Sequence, residues 1–309
     1  ALIPIKMTDR SGVFWTAKSE ETLVDPAYRG QQIFEKMYDL LKQYAWDNGI
    51  RSIWGFTPAT KAFTRIGFET PGKTTQIFFP LDSTAIPALL DKKSAAETQR
   101  GSGWLSRTAY RTAGAMAGLV SATRLSFQSS GHADLTLRLL SSAPDDAGNV
   151  CRNFVSQWGG CTIFRDRAYL QWRLFDNPHV KALFTAAYVG DRLCGWVAYA
   201  LGDDRMGYLV DVIAVESRNS DVTPEVIVRG LLSTAIIDLR RMGALGVRGW
   251  HVTDHPFDLL VLRVARQLGF WHFRRGHDVV ILPLPGKQSQ THSFSDWYIT
   301  RVFTEGLLG

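Results

Sequence analysis

The stretch that spans residues 20–68 constrains the fold more than any other part of the chain. It predicts a strand over 22–24, a basic turn at Tyr28-Arg29-Gly30, a helix, a second strand over 50–56 and a short helix before Gly67. The first helix is indicated by apolar residues at three- and four-residue spacing and by the Asn48-Gly49 pair at its end. A basic turn before a helix N-terminus presents free backbone N–H groups and the positive end of the helix dipole. The turn therefore suits a phosphate or pyrophosphate.

The residues of this turn resemble the coenzyme loop of the GNAT-type N-acyltransferases. In that family a strand ending in V-x-P-x-Y-R-G leads into a loop of pattern Arg/Gln-x-x-Gly-x-Gly/Ala, which cradles the pyrophosphate of acyl-coenzyme A. The resemblance implies that acetyl-coenzyme A or another acyl-coenzyme A is a co-substrate. The positions that match the family's binding loop are Val24, Arg29, Gly30, Gln31, Gln32, Ile33 and Phe34. Gln32 and Phe34 depart from the pattern, since the family has small residues there, and the glycine expected in place of Gln32 lets the backbone approach the phosphates.

Length and composition indicate a globular protein with one large or two ordinary domains. The chain has 309 residues, of which 45% are hydrophobic, and this is enough for a core in each domain. No apolar run approaches the roughly 20 residues that span a bilayer, and the N-terminus lacks a signal-peptide pattern. The chain begins abruptly, as if inside a strand, so we expect residues upstream of Ala1. Cys151, Cys161 and Cys194 are an odd number without a close pair, which favours the reducing cytoplasm.

The net charge of +6 is compatible with several acidic partners. Coenzyme A, nucleic acid and an anionic membrane face would all be attracted by such a charge. Nucleic-acid binding is supported by the charge alone, because the sequence contains no recognised nucleic-acid motif. We therefore expect a small-molecule amine as the partner and no specific nucleic acid, and the sequence does not specify an oligomeric state.

The second half of the chain repeats the pattern of the first half. From residue 131 onward the patterns predict a strand, two helices, three strands, a helix, a strand, a helix and a strand, which is the full acetyltransferase order. Residues 246–250 resemble 49–54, and 268–270 resemble 66–68, at corresponding places in the two halves. Residues 165–178 also resemble a stretch of bacterial tandem members of the family. The sequence thus predicts a mixed-sheet α/β (α+β) fold with two tandem acetyltransferase-like units, the first lacking its N-terminal elements.

These patterns divide the chain into four segments. Residues 1–82 are expected to form the partial first unit with the coenzyme loop, and the strand at 74–81 is expected to close it. Residues 131–284 should form the complete second unit, and residues 285–309 a tail that adds a strand or packs on the first unit. The connector, 83–130, contains a predicted helix over 104–125. The apolar run of that helix is too short to span a membrane. Either the helix packs on a neighbouring domain, or its arginines hold it at an anionic membrane surface.

Amide formation from a thioester requires a neutral amine, a polarised carbonyl and a proton for the departing thiolate. In the family, a carboxylate or a bound water takes the first proton, and a tyrosine on the following helix often supplies the last. The candidate bases of the first unit are Glu20 and Glu21, beside the strand that precedes the turn. The resemblance places the tyrosine near Phe63, which cannot donate a proton.

The second unit has candidate bases but no coenzyme turn. Its equivalent turn, 217–224, contains no glycine and carries Asp221, whose charge would repel a pyrophosphate. Asp211 lies in the central strand and His251 follows the next strand, so the two could converge where the sheet opens, with the histidine as a general base. His251 and His255 are four residues apart, but the proline after His255 favours a loop, so we expect no metal site.

The sequence supports two functional hypotheses. The first is an acyl-coenzyme A-dependent N-acyltransferase that moves an acyl group to the amine of a small molecule, such as an amino sugar or amino acid. The alternative is a catalytically degenerate acetyltransferase fold that serves as a binding or scaffold protein. Gln32, Phe34 and Phe63 favour the alternative, because each departs from the family pattern.

Overall fold

The computed structural model describes residues 1–82, 85, 134–217, 221–273, 276–284, 293–304 and 306–308. The predicted connector helix, 104–125, lies outside the described residues. The strands of the described residues are β1 Leu2–Asp9, β2 Gly12–Ser19, β3 Ser52–Phe56, β4 Glu69–Lys73, β5 Thr75–Pro80, β6 Leu135–Leu140, β7 Thr162–Ile163, β8 Leu183–Val189, β9 Arg192–Leu201, β10 Met206–Ala214, β11 Gly246–His251, β12 Trp271–Phe273 and β13 Asp278–Pro283. The helices are α1 Ile33–Asp47, α2 Thr60–Arg65, α3 Ala147–Trp158, α4 Arg167–Leu170, α5 Pro224–Arg241 and α6 Pro256–Leu268.

The strands of the described residues form two mixed sheets. The first sheet has the order β4-β13-β3-β2-β1-β7, and the second has the order β12-β5-β11-β10-β9-β8-β6. In each sheet one central pair is parallel, β2 with β3 and β10 with β11. The crossover helices of these pairs are α1 and α5, which is the strand–helix–strand unit that the sequence predicts in both halves. The predicted mixed α/β class with two units is confirmed.

The two units exchange a strand. The strand β5 comes from the first half of the chain, yet it lies between β11 and β12 in the second sheet. In return, β13 comes from the second half and lies between β3 and β4 in the first sheet. The prediction that residues 74–81 close the first unit is therefore wrong, as is the matching expectation that 277–284 is the last strand of the second unit's own sheet. The middle of β5 is buried on both faces, so it requires a central place in a sheet.

The exchanged segments cross at Thr74 and His277. The backbone N–H of Thr74 donates to the carbonyl of His277 (2.9 Å), and the N–H of His277 donates to the Thr74 hydroxyl (2.8 Å). A Cβ on Gly276 would lie 1.7 Å from the Thr74 carbonyl oxygen. Glycine is required at this position because no side chain fits between the crossing strands. The crossing fixes the two sheets to each other at one point of the backbone.

The strand before the basic turn ends earlier than the sequence predicts. The strand β2 ends at Ser19, and residues 20–25 are irregular, so the prediction of a strand over 22–24 is wrong. Glu21 has φ +47°, a left-handed conformation that interrupts an extended chain. Residues 2–19 form a hairpin, with Leu2 opposite Ser19 and Asp9 opposite Gly12.

The hydrophobic core has two main parts on opposite faces of the first sheet. The larger part fills the space between the two sheets and includes the C-terminal segment, from Trp297 to Phe303. The smaller part packs α1 and α2 against the outer face of the first sheet. The tail was expected to pack on the first unit, and Trp54 of β3 does contact the rings of Trp297 (6.3 Å) and Phe303 (5.4 Å). In the part of the chain that the structure describes, no helix is long and apolar enough to cross a membrane.

Candidate functional site

The basic turn of the first unit has a tightly defined backbone. The Asp25 side chain accepts the N–H of Ala27 (2.8 Å) and caps a short 3₁₀ turn at Pro26–Tyr28. Gly30 follows with φ +83°, and Gln32 has φ +59° and ψ +25°. Gln32 therefore adopts the left-handed conformation that a glycine would adopt without strain. The side chain departs from the family pattern, but the backbone keeps a glycine-like shape.

The first turn of α1 points its free N–H groups into solvent. The earliest intrahelical bond runs from Lys36 N–H to the Gln32 carbonyl (3.0 Å), and the Gln32 side chain does not cap the helix. The residues before it, 29–32, are all exposed. Glu35 in the first turn is paired with Arg65 (2.7 Å), which offsets its negative charge. An anion can therefore reach the positive end of the helix.

Tyr38 of α1 connects the helix to the segment that precedes the turn. Its hydroxyl contacts the hydroxyl of Ser19 and lies 3.0 Å from the hydroxyl of Thr22, so the helix, the end of β2 and the turn are joined. Phe34 packs on Tyr38 (4.8 Å between ring centroids) and on Phe63 (5.3 Å). Phe34 thus fills the space between α1 and α2, where the family has a small residue.

The structure separates the two glutamates that the sequence could not distinguish. Glu20 contacts the ammonium group of Lys18, which is 4% exposed. Lys18 lies on the face of β2 that faces the other sheet, in register with Trp54 of β3. Glu21 is fully exposed. Glu20 is therefore the carboxylate at the end of the parallel β2/β3 pair, while Glu21 faces solvent. Val24, the first matched position of the binding loop, is half-buried.

The parallel pair of the first sheet is short. It extends over Ala17 with Ile53 and Lys18 with Trp54 only. Just beyond, a Cβ on Gly55 would lie 2.9 Å from the Ser19 carbonyl oxygen, so a glycine is required for the close approach of the two strands. After this point β2 ends, and the backbone of Glu20 forms hydrogen bonds with Ala1, which directly precedes β1. The carboxyl ends of parallel central strands are where ligands enter sheets of this kind.

In the second unit, Asp211 is saturated with hydrogen bonds. Its carboxylate accepts from Arg165 Nε (3.1 and 2.9 Å), from Trp196 Nε1 (2.9 Å) and from Thr300 Oγ1 (2.7 Å). Both members of the Arg165–Asp211 ion pair are fully buried. Burial alone would lower the pKa of Arg165, but the facing carboxylate reverses the effect and raises it. Asp211 is thus positioned to hold structure together, and no lone pair is left for a substrate amine.

The C-terminal segment lies in the split of the second sheet. The strands β10 and β11 pair only over Met206–Tyr208 and then separate. Beyond this point Tyr298 donates to the Val212 carbonyl (2.5 Å), and Arg301 stacks against Trp250 (4.9 Å). The remaining void has about 20 Å³, room for roughly one water molecule. In this unit the chain itself satisfies the strand edges that a ligand would otherwise meet.

The two histidines after β11 have different roles. His255 is buried at the N-terminus of α6, where Nδ1 accepts the N–H of Phe257 (3.2 Å) and Nε2 contacts the Gly159 carbonyl (3.3 Å). This arrangement requires a neutral ring with the proton on Nε2, and burial lowers the pKa of His255. His251 lines an open cleft between residues of the two sheets, with Nδ1 3.2 Å from Asp258. Within the described residues, no group of side chains could hold a metal ion.

The structure does not bring all the candidate residues together. Glu20 and the binding-loop residues belong to the first sheet, whereas Asp211 and His251 belong to the second. Asp211 and His251 also do not converge, because Asp211 contacts the C-terminal segment and His251 contacts α6. Sequence reasoning missed Arg165 and Thr300. The only signals for them were the resemblance of residues 165–178 and the aromatic composition of the tail.

The sequence of this chain has no family-model match and no match among curated proteins, but its fold matches solved structures. A GCN5-related N-acetyltransferase from Anabaena variabilis ATCC 29413 matches with a TM-score of 0.58 and 12% identity, over 92% of this chain and 59% of that one. One from Kribbella flavida matches with a TM-score of 0.55 and 12% identity, over 92% and 56%. A conserved protein of unknown function from Enterococcus faecalis V583 matches with a TM-score of 0.56 and 8% identity, over 92% of this chain and 58% of that one.

These similarities show that the chain has the fold of the GCN5-related N-acetyltransferases. The resemblance that the basic turn and the repeated element order indicate is confirmed at the level of the fold. The chain spans a little over half the length of these solved structures. At 8–12% identity, these similarities show the fold alone.

Proposed function

We propose that this protein is an acyl-coenzyme A-dependent N-acyltransferase that acylates the amine of a small molecule such as an amino sugar or amino acid. The coenzyme binds at the turn of the first unit, through Arg29 and the N–H groups from Gly30 to Phe34, with Val24 beside it. The bound acyl-coenzyme A supplies an activated thioester. Buried free thiols at Cys151, Cys161 and Cys194 support a reducing compartment such as the cytoplasm.

The observation that carries the proposal is the backbone of the turn. Gln32 holds a left-handed conformation that costs about 1–2 kcal/mol for a residue other than glycine. Such strain persists only where the surrounding structure imposes it, and it concentrates at ligand-binding loops. The exposed cation Arg29 and the uncapped helix N-terminus lie beside it. A chain that had lost the site would be free to relax this turn.

We assign the second unit a structural role and no coenzyme site. Its split holds the C-terminal segment, and Asp221 remains exposed at the turn before α5. A negative charge at that helix N-terminus competes with a pyrophosphate. The stoichiometry that follows is one coenzyme per chain.

Glu20 is the proposed base for the acceptor amine. It directly follows the last residue of β2, beside the parallel pair, and contacts the Lys18 ammonium group. An ionised carboxylate can take a proton from an amine as the amine attacks the thioester. Phe63 occupies the family's tyrosine position and is buried, so the departing thiolate must be protonated by water or by another group.

Calorimetric titration with acetyl-coenzyme A tests the coenzyme site. We expect saturable binding to one site, weakened at least about tenfold by Arg29→Ala, the loss of one charge-assisted contact. Arg192→Ala, at the start of β9 in the other sheet, is the matched control and should bind like the parent. If the parent fails to bind, or both variants weaken equally, the turn is not the coenzyme site.

A matched pair of substitutions tests the base. Glu20→Gln should lower kcat for coenzyme release in the presence of an amine while leaving the Kd for acetyl-coenzyme A unchanged. Glu21→Gln removes the same charge one residue away, on a side chain that faces solvent, and should leave kcat unchanged. Equal effects of the two substitutions would exclude Glu20 as the base.

The alternative function, a degenerate scaffold, is favoured by one specific observation. Phe34 fills the space between α1 and α2 and contacts Phe63, so this groove is occupied by side chains. If the scaffold reading holds, acetyl-coenzyme A fails to bind to the parent and Phe34→Ala fails to restore binding. Binding by the parent protein would exclude it.

A further inference from the structure

A second cleft lies where the two sheets meet, apart from the turn of the first unit. It has a volume of about 650 Å³ and is open to solvent on one side. Four separate parts of the chain form its walls: the end of β4 with the start of β5, the end of β11 with the loop after it, β12, and the turn at residues 293–295. This volume is within the roughly 300–1,000 Å³ of typical small-molecule sites.

Hydrogen bonds fix the proton on His272, one of the cleft's two imidazoles. The Thr75 hydroxyl donates its hydrogen to the His251 carbonyl (2.7 Å). The same hydroxyl lies 2.7 Å from His272 Nε2, so this nitrogen must donate. His272 Nδ1 then accepts from Arg266 (3.3 Å). His272 is therefore neutral and fully engaged in the wall of the cleft.

His251 has the opposite arrangement and offers an acceptor to the cleft. Its Nδ1 is buried and lies 3.2 Å from Asp258 Oδ2. That oxygen already accepts the N–H groups of Val252 (2.8 Å) and Thr253 (2.9 Å), so the contact with Nδ1 is electrostatic rather than a direct hydrogen bond. A carboxylate in this position holds the proton on Nδ1. Nε2, at the other edge of the ring, keeps its lone pair for a ligand.

The charge that remains uncompensated in the cleft is negative. Asp254 is exposed in the loop after β11 and has no ion-pair partner in the described ranges. Lys73 is offset by Asp278 at 3.1 Å. The ring of Phe294 lies against Gly72, where a Cβ would approach it to 2.6 Å, so glycine lets the ring form part of the wall. A carboxylate, an imidazole lone pair and an aromatic ring are the groups that bind an ammonium ion.

We propose that this cleft binds a small hydroxylated primary ammonium ion. Asp254 carries the counter-charge, His251 Nε2 accepts one ammonium hydrogen, and the hydroxyl groups of Ser293 and Ser295 contact the hydroxyl groups of the ligand. Asp254 and His251 belong to the second unit and Glu20 to the first, so the inference goes beyond the proposed function and does not depend on it. Binding itself requires no coenzyme.

The test compares glucamine, an open-chain polyol with a primary ammonium group, with sorbitol, which has a hydroxyl group there instead. The full chain is labelled on its histidines, and the ring signal of His251 is identified by its loss in His251→Gln. We expect glucamine to shift this signal saturably at neutral pH and sorbitol to shift it at least tenfold more weakly. Asp254→Asn should weaken glucamine binding at least about tenfold, the size of one charge-assisted contact.

Asp191→Asn, an exposed aspartate in the turn between β8 and β9, is the matched control and should bind glucamine like the parent. Equal binding of glucamine and sorbitol, equal effects of the two aspartate substitutions, or a shift of another histidine instead would overturn the proposal. Failure of acetyl-coenzyme A to bind in the calorimetric titration, with glucamine still bound at His251, would instead refute the proposed enzyme and leave this site intact.

Discussion

Replacing Gln32 with glycine should both stabilise the protein and tighten the coenzyme site. At φ +59° and ψ +25°, the glutamine has a conformational cost of about 1–2 kcal/mol, which glycine does not have. Glycine also gains about 0.4–1 kcal/mol of entropy in the unfolded chain, which opposes this. The difference predicts a net stabilisation of about 0.5–1 kcal/mol for Gln32→Gly, because the exposed side chain makes no cap bond to the helix.

The neighbouring residue gives a matched control. Gln31 is also an exposed glutamine, but its φ is not positive. Gln31→Gly therefore has the entropic cost without relief of strain and should destabilise the protein by about 0.5–1 kcal/mol. Urea unfolding at constant slope measures both changes, and the two substitutions should have opposite signs.

The affinity for acetyl-coenzyme A is a second measurement on the same two variants, Gln32→Gly and Gln31→Gly. Without the Gln32 side chain, the phosphates can approach the N–H groups of the turn, and one added charge-assisted bond strengthens binding of acetyl-coenzyme A about tenfold or more. Gln31→Gly should leave the Kd within about twofold, since it adds no contact. If both substitutions destabilise, the left-handed strain is not present in solution. If stability rises and affinity does not, the turn is strained for a reason other than the coenzyme.

Three further predictions follow from the second unit and the exchanged strands. Asp211→Ala leaves the buried Arg165 guanidinium without its carboxylate and should lower the free energy of unfolding, measured in urea, by about 3–5 kcal/mol. A loss below about 1 kcal/mol would show that the ion pair is dispensable. Burial holds the pKa of His255 below its usual value, so the stability that the neutral ring contributes is complete above about pH 6.5 and is lost as the pH falls toward the lowered pKa. The parent should therefore lose more stability than His255→Asn between about pH 7.5 and 5.5. Parallel losses in the two proteins would refute this. A fragment of residues 1–82 should stay unfolded by circular dichroism, because its first sheet lacks β13 and its buried β5 lacks both neighbours, and a cooperative unfolding transition of the fragment would contradict the exchange.

The proposed site is the part of the protein that local sequence could predict best. The turn before α1 and the helix itself depend on residues that follow one another, and both form where the sequence places them. The strand predicted over 22–24 is absent because β2 ends at Ser19 and Glu21 turns the chain with a positive φ, which the identity of the residue does not indicate. The short strands β4, β7 and β12 were not predicted. Glu20 and Glu21 look alike in the sequence, and only the contact of Glu20 with Lys18 and the exposure of Glu21 distinguish them.

What the sequence determined by itself is the set of elements and their order. Amphipathic spacing, capping residues and the repeat of 49–54 in 246–250 depend on short-range geometry, and these predicted two mixed-sheet units of one kind. The tertiary structure alone decided which strand pairs with which. The local sequence of β5 or β13 does not indicate which strands it pairs with, because an apolar strand satisfies its hydrogen bonds equally well in either sheet. The exchange, the burial of the C-terminal segment beside Asp211 and the cleft around His251 all follow from contacts between residues far apart in the chain.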